Sequence, residues 1–205
     1  MRAPLLLAFV LALVACGPSA TVEDPVPAGA GGAKPFPRPV DSHRMTTREK
    51  LVDLLAKAGL ASEQEIRSLD PAVDSDLANL TNDQGVSQAL RIEAVTCLGY
   101  FQNKRARLLL RSILTDPVWD KPYRMAALEA MARSMGSEAY ETLKQYASDG
   151  DADIRTVAVR GLARVGGAGV VALLKSLQLT EREPQVLQAL DAALTELTRS
   201  PFEVR

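Results

Sequence analysis

Apolar residues recur at a helical interval through most of this chain. From Thr46 to Ala58, the residues Leu51, Leu54, Leu55 and Ala58 share one face, Thr46 or Thr47 is placed to cap the helix, and Gly59 to end it. Ser62 followed by Glu65 has the spacing of a capping box, predicting a short second helix that ends near Leu69. Pro71 suits the opening of a third helix, which turns Val73, Leu77 and Leu80 inward.

Beyond Leu80 the pattern copies itself. The strings ALRIEAVTCLGYF at 89–101, PYRMAALEAMARS at 122–134 and DIRTVAVRGLARV at 153–165 each set an arginine ahead of small or aliphatic residues three, four and seven positions later. These are Arg91 with Ala94, Val95 and Leu98; Arg124 with Ala127, Leu128 and Met131; and Arg155 with Ala158, Val159 and Leu162. A fourth string, QVLQALDAALTEL at 185–197, keeps the apolar frame as Leu187, Leu190 and Leu194, lacks the arginine and is broken by Asp191. The arginines stand 33 and 31 positions apart, and Leu187 follows 32 later. A second helix is predicted after each of the first three, at about 104–114, 137–147 and 168–178, in register at Leu110, Leu143 and Leu174. Acidic turn residues recur at Asp83, Asp116 and Asp149, and Leu77 precedes Leu110 by 33. Three features at one period mark a repeat architecture.

This register resembles HEAT repeats, in the short variety also called PBS-lyase-like. Asp153-Ile154-Arg155, continuing through Ala158, Val159 and Leu162, is the best copy, while Tyr123 stands where that family has Val or Ile. The resemblance implies an all-α fold: a short right-handed α-solenoid, or HEAT-like superhelix, of stacked antiparallel helix pairs. The repeats would occupy 70–198, with an N-terminal helical cap at 45–69 and a tail at 199–205. The fourth copy would close the stack before the Pro201 stop. One helix pair cannot bury its apolar faces alone, so neighbours must supply the rest of the core. Arg91, Arg124 and Arg155 could be read as anion ligands. The simpler expectation is a structural ladder pairing with turn aspartates or carbonyls of the adjacent repeat.

The N-terminus follows a different logic. Arg2, the apolar run Leu5 to Val14 and small residues after it have the order of an export signal at 1–15, too short for a membrane-spanning helix. Its end, Leu13-Val14-Ala15-Cys16-Gly17, resembles the lipobox of bacterial lipoproteins at every position. That resemblance implies lipidation of Cys16 and, since Gly17 rather than Asp follows it, an outer membrane facing the periplasm if the envelope is Gram-negative. Residues 16–44 then read as a Pro/Gly/Ala linker with no period, unable to bury enough apolar surface to fold. Its reach as a flexible chain is about 30 Å.

Composition narrows the chemistry. Hydrophobic residues are 47% but aromatics 4%, so the apolar content is Ala, Leu and Val, which favours close-packed helices. The chain without 1–15 carries 23 basic against 25 acidic residues, which gives no electrostatic case for nucleic acid. Its one histidine, His43, falls in the linker, and Cys97 is the one thiol besides Cys16, on an apolar helix face where it reads as a small buried hydrophobe. Asp70, Asp74, Asp76 and Asp83 lack the glycine and closing glutamate of a calcium loop. No nucleotide or nucleophile motif is present; Gly166-Gly167-Ala168-Gly169 reads as a turn between helices. The sequence thus predicts no enzyme, no metal, no cofactor and no small-molecule substrate. The expected role is a membrane-anchored, protein-binding scaffold in the bacterial cell envelope. A bilin lyase or its accessory subunit follows from the repeat family alone, and a passive spacer is the third reading.

In the HEAT family the second helices line the concave face and often bind partners. By that resemblance, Arg107, Arg111, Lys144 and Lys175 would form a basic stripe for an acidic segment of another protein, diluted by Glu138 and Glu141. Tyr100, Phe101, Trp119 and Tyr123 cluster near the loops of one repeat, as interface anchors or as plugs between repeats.

Overall fold

The computed structural model describes residues 45–57 and 61–199. The expected signal peptide, Cys16, the linker to residue 44, Ala58, Gly59 and the tail beyond Arg199, Pro201 included, lie outside them. The described residues are helical, with no strand among them. In chain order they form α1 (Thr47–Ala56), α2 (Glu63–Leu69), α3 (Val73–Asn82), α4 (Gln88–Leu98), α5 (Lys104–Thr115) and α6 (Lys121–Ser134). A 3₁₀ turn (Gly136–Ala139) leads into α7 (Tyr140–Tyr146), followed by α8 (Ala152–Val165), α9 (Ala168–Thr180) and α10 (Pro184–Arg199). None of these helices is long and apolar enough to cross a membrane.

Side chains at five of the helix starts explain where those helices begin. Thr46 with Glu49, and Ser62 with Glu65, form reciprocal capping boxes. Ser87, Asn103 and Asp151 each accept backbone N–H groups of the helix that follows. Several expected limits shift. Helix α1 stops at Ala56, and Pro71 sits in the turn before α3. Helix α4 stops at Leu98, where the Gly99 and Tyr100 amides turn back to the Thr96 and Cys97 carbonyls. The segment before α7 starts tight because Gly136 takes φ +52°, a conformation glycine adopts without strain. Gly166 and Gly167, at φ +70° and +95°, make the turn between α8 and α9, while Ala168 and Gly169 already belong to α9.

Packing follows the repeat. Helices α4, α6, α8 and α10 stack side by side in one row, each closely against the next. Helices α3, α5, α7 and α9 form a second row, in which α5, α7 and α9 barely meet one another. Each second-row helix packs chiefly on the first-row helix that follows it: α3 on α4, α5 on α6, α7 on α8 and α9 on α10. The hairpins therefore run second helix to next first helix, one step out of phase with the pairs read from the sequence. The chain is an α-solenoid.

Ala94, Ala127 and Ala158, all fully buried, let the first-row backbones approach, and Leu98, Met131 and Leu162 fill the space between them. Helix α10 completes the row with Val186, Ala189, Leu190 and Ala193 buried, while Leu187 and Leu194 are half-buried. Asp191, the polar interruption of that frame, faces outward within the helix and accepts a hydrogen bond from the Gln178 amide of α9.

Candidate functional site

The residues expected to bind a partner lie on α5, α6, α7 and α9 and in the turn before α6. Arg107 on α5 is closed off by an ion pair with Glu138 at 2.6 Å. Lys144 on α7 lies 3.9 Å from the Glu141 carboxylate and over the Tyr140 ring. Arg111 on α5 and Lys175 on α9 are exposed, on helices that do not pack together. Two of the four cations thus already meet a carboxylate, while Arg111 and Lys175 remain exposed. Trp119 and Tyr123 do meet, with ring centroids 5.0 Å apart and planes at 58°. Tyr123 is buried and its hydroxyl has no hydrogen-bond partner, and Trp119 is half-buried against the core.

The three repeated arginines hold different partners. Arg155 forks onto Glu181 at the end of α9, with Nε and Nη2 at 2.8 and 3.0 Å from its two carboxylate oxygens. Its Nη1 donates to the Asp149 and Gly150 carbonyls in the turn before α8. Arg91 donates to the Gln84 side chain and lies over the Tyr123 ring, and Arg124 keeps a buried Nε without a partner. None of the three donates to the turn aspartate side chains expected for the ladder. Lys121 does that work instead, bonding Asp151 at 3.0 Å and Asp153 at 2.6 Å across the α6–α8 junction. The Arg155 contact pulls the Glu181 carboxyl from its ordinary 4.5 down to about 2.

The remaining reactive groups are structurally engaged. Cys97 is fully buried, and burial first, then the neighbouring Glu93 carboxylate, pushes its thiol up to about 12. A thiol so protonated is inert. The acidic cluster is split: Asp70 accepts from the Ala72 amide, Asp74 from Asn103, and Asp83 from the Gly85 amide and Arg48. Among the described residues, no three His, Cys, Asp or Glu side chains gather as a metal site would need.

A site the sequence reading did not single out lies between α8 and α10. It is an open groove of about 570 Å³, lined by Arg160, Arg164, Gln185, Gln188 and Glu196 above alanines 163, 189, 192 and 193. Arg160 and Arg164 are exposed and stand one helical turn apart, about 6 Å along α8. Both were visible in the string DIRTVAVRGLARV as the charged positions facing away from Ala158, Val159 and Leu162. What hid the site was α10, whose alanines leave the space open and could not be set opposite α8 from periodicity alone.

Compared with known proteins, the chain matches the family model for HEAT repeats at residues 75–163 and, in an overlapping second match, at 119–195. The search against curated proteins finds no match.

Proposed function

The chain belongs to the HEAT-repeat family, and from that premise we propose that it is a lipid-anchored scaffold that binds another protein at the bacterial cell envelope. Such a helical-repeat stack is suited to protein interaction because it offers a long, continuous surface built from repeated side-chain positions. The observation that carries the anchored reading is the run Leu13-Val14-Ala15-Cys16 at the end of a short apolar segment, followed by Pro/Gly/Ala-rich sequence before the first helix. Two or three acyl chains at Cys16, each buried methylene contributing roughly 0.8 kcal/mol, would hold the protein on a membrane. The copy at Asp153-Ile154-Arg155 supports the short, PBS-lyase-like variety of the repeat. Binding rather than catalysis is favoured because the one histidine precedes the repeats and Cys97 is fully buried with a raised pKa.

The test has two arms. Metabolic labelling with a clickable palmitate analogue should mark the wild-type chain and not Cys16→Ser, and the variant should leave the membrane fraction. Proximity crosslinking from the repeat surface in detergent-solubilised envelopes should recover a reproducible protein partner. An unlabelled wild-type chain removes the anchor; a labelled chain with no specific partner removes the scaffold.

A further inference from the structure

We propose that the groove between α8 and α10 is a docking site for an acidic segment of a partner protein, held by Arg160 and Arg164. The proposal rests on the scaffold reading above and names the partner chemistry for it.

Three observations meet at this place. The first is the state of the two guanidinium groups. Neither Arg160 nor Arg164 makes a hydrogen bond or an ion pair among the described residues. Two other arginines of the first row are occupied. Arg133, on α6 and 31 positions before Arg164, donates to the Thr96 carbonyl at 3.1 Å and lies 4.9 Å over the Tyr100 ring. Arg155, on α8 itself, is locked onto Glu181. Arg160 and Arg164 alone on α8 keep every donor for an outside acceptor.

The second observation is the floor. Ala163, Ala189 and Ala193 are buried at 8%, 7% and 4% exposure, so the groove is shallow-walled, apolar at its base and free of large side chains. A backbone segment can lie there closely, as a bulkier floor would forbid. The third is the rim. Gln188 offers an amide donor and acceptor along α10, Gln185 offers its amide oxygen while its nitrogen donates to Asp153, and Glu196 supplies one carboxylate at the wall. Two unpaired cations against one anion favour an acidic occupant, and Glu196 selects against a long polyanion.

Arginine forks bind carboxylates in bidentate fashion, and a spacing of about 6 Å accepts glutamates one helical turn apart on an amphipathic segment. The close packing of α10 on α8 lets the same segment touch both helices.

The experiment uses the full chain in detergent and a fluorescein-labelled amphipathic peptide with glutamates one helical turn apart. Fluorescence anisotropy should show saturable, salt-sensitive binding. The double variant Arg160→Glu/Arg164→Glu, checked for native helicity by circular dichroism, should weaken it by about tenfold or more. A peptide with lysine in place of glutamate should bind the double variant and not the wild type. Equal binding of the glutamate peptide by both proteins, no saturable binding, or equally tight binding of a single-stranded RNA overturns the docking site. Envelope crosslinking with the same two proteins separates the two readings. A partner recovered equally by both overturns the groove while the scaffold stands, and one lost with the double variant supports both.

Discussion

The Arg155–Glu181 fork is the most consequential single contact at the residue scale, because both side chains are nearly out of water, at 14% and 11% exposure. It ties the end of α9 to the start of α8 while Nη1 holds the preceding turn. Replacing Glu181 by Gln removes the charge and leaves Arg155 short of an acceptor, which should cost about 1–3 kcal/mol at neutral pH. The sign of its pH dependence follows from the depressed carboxyl. Its stabilisation is complete above the ordinary 4.5 and disappears as pH falls toward about 2. Urea midpoints of wild type and Glu181→Gln should therefore converge through that window; a gap that persists at the acid end would show that charge is not what the contact supplies.

Glycines separate two kinds of close approach at the same scale. A Cβ on Gly99 would stand 2.7 Å from the Ala130 Cα, a backbone atom of α6 that cannot move without moving the helix. On Gly161 it would meet the tip of the buried Leu143 side chain at 2.8 Å and the Ala132 Cβ at 3.2 Å, the nearer contact being a side-chain end rather than backbone. Gly99→Ala should lose about 1–3 kcal/mol through overpacking. Gly161→Ala, inside α8, should stay within about 1 kcal/mol because the gain in helix propensity offsets the shift of Leu143. Chemical denaturation of the two variants side by side checks the ranking, and a costlier Gly161→Ala would mean that Leu143 is clamped.

Among elements, the repeat dictates which faces are apolar but not which helix meets which. The frame Ala94-Val95-Leu98, with its copies, was legible because each first-row helix must be apolar toward two neighbours and toward the second row at once. Helices α6 and α8 accordingly bury residues almost all round. The phase of the hairpins was not legible, since α5 is equally spaced in sequence from α4 and α6, and only packing decides that it lies on α6. The arginine partners were legible in part. Arg155 donates to the turn carbonyls of Asp149 and Gly150, one of the two alternatives expected. The aspartate side chain next to it is taken, because Asp151 caps α8 and bonds Lys121. The α8–α10 groove escaped notice because it is made by what is missing, large side chains on α10, and an absence carries no period.

At the scale of the whole molecule, stability in such a stack is the sum of helix-pair and interface terms, so the ends matter more than their length suggests. Helix α10 buries Val186, Ala189, Leu190 and Ala193 on the row, and turns Gln188, Asp191, Thr195 and Glu196 to water. That is the composition of a cap: one face for α8 and α9, the other for solvent. A chain ended after Glu183 keeps the Arg155–Glu181 fork but uncovers the last apolar face of α8. The expected result is a loss of several kcal/mol, or about 10 °C or more in Tm. Self-association should follow, because the uncovered face resembles one that normally receives another first-row helix. The opposite end gives the contrast. Helices α1 and α2 with the turn between them bury Leu51, Leu55, Ala61 and Ile66 but pack much less closely on α3 and α4 than α10 does on α8 and α9. Removing residues before Asp70 should therefore cost less and leave the chain monomeric. Thermal melts with light scattering on the two truncations decide the matter. If the chain lacking α10 stays as stable and as monomeric as the one lacking the N-terminal helices, α10 is an appendage rather than the end of the stack, and the groove it forms with α8 would have no fixed floor.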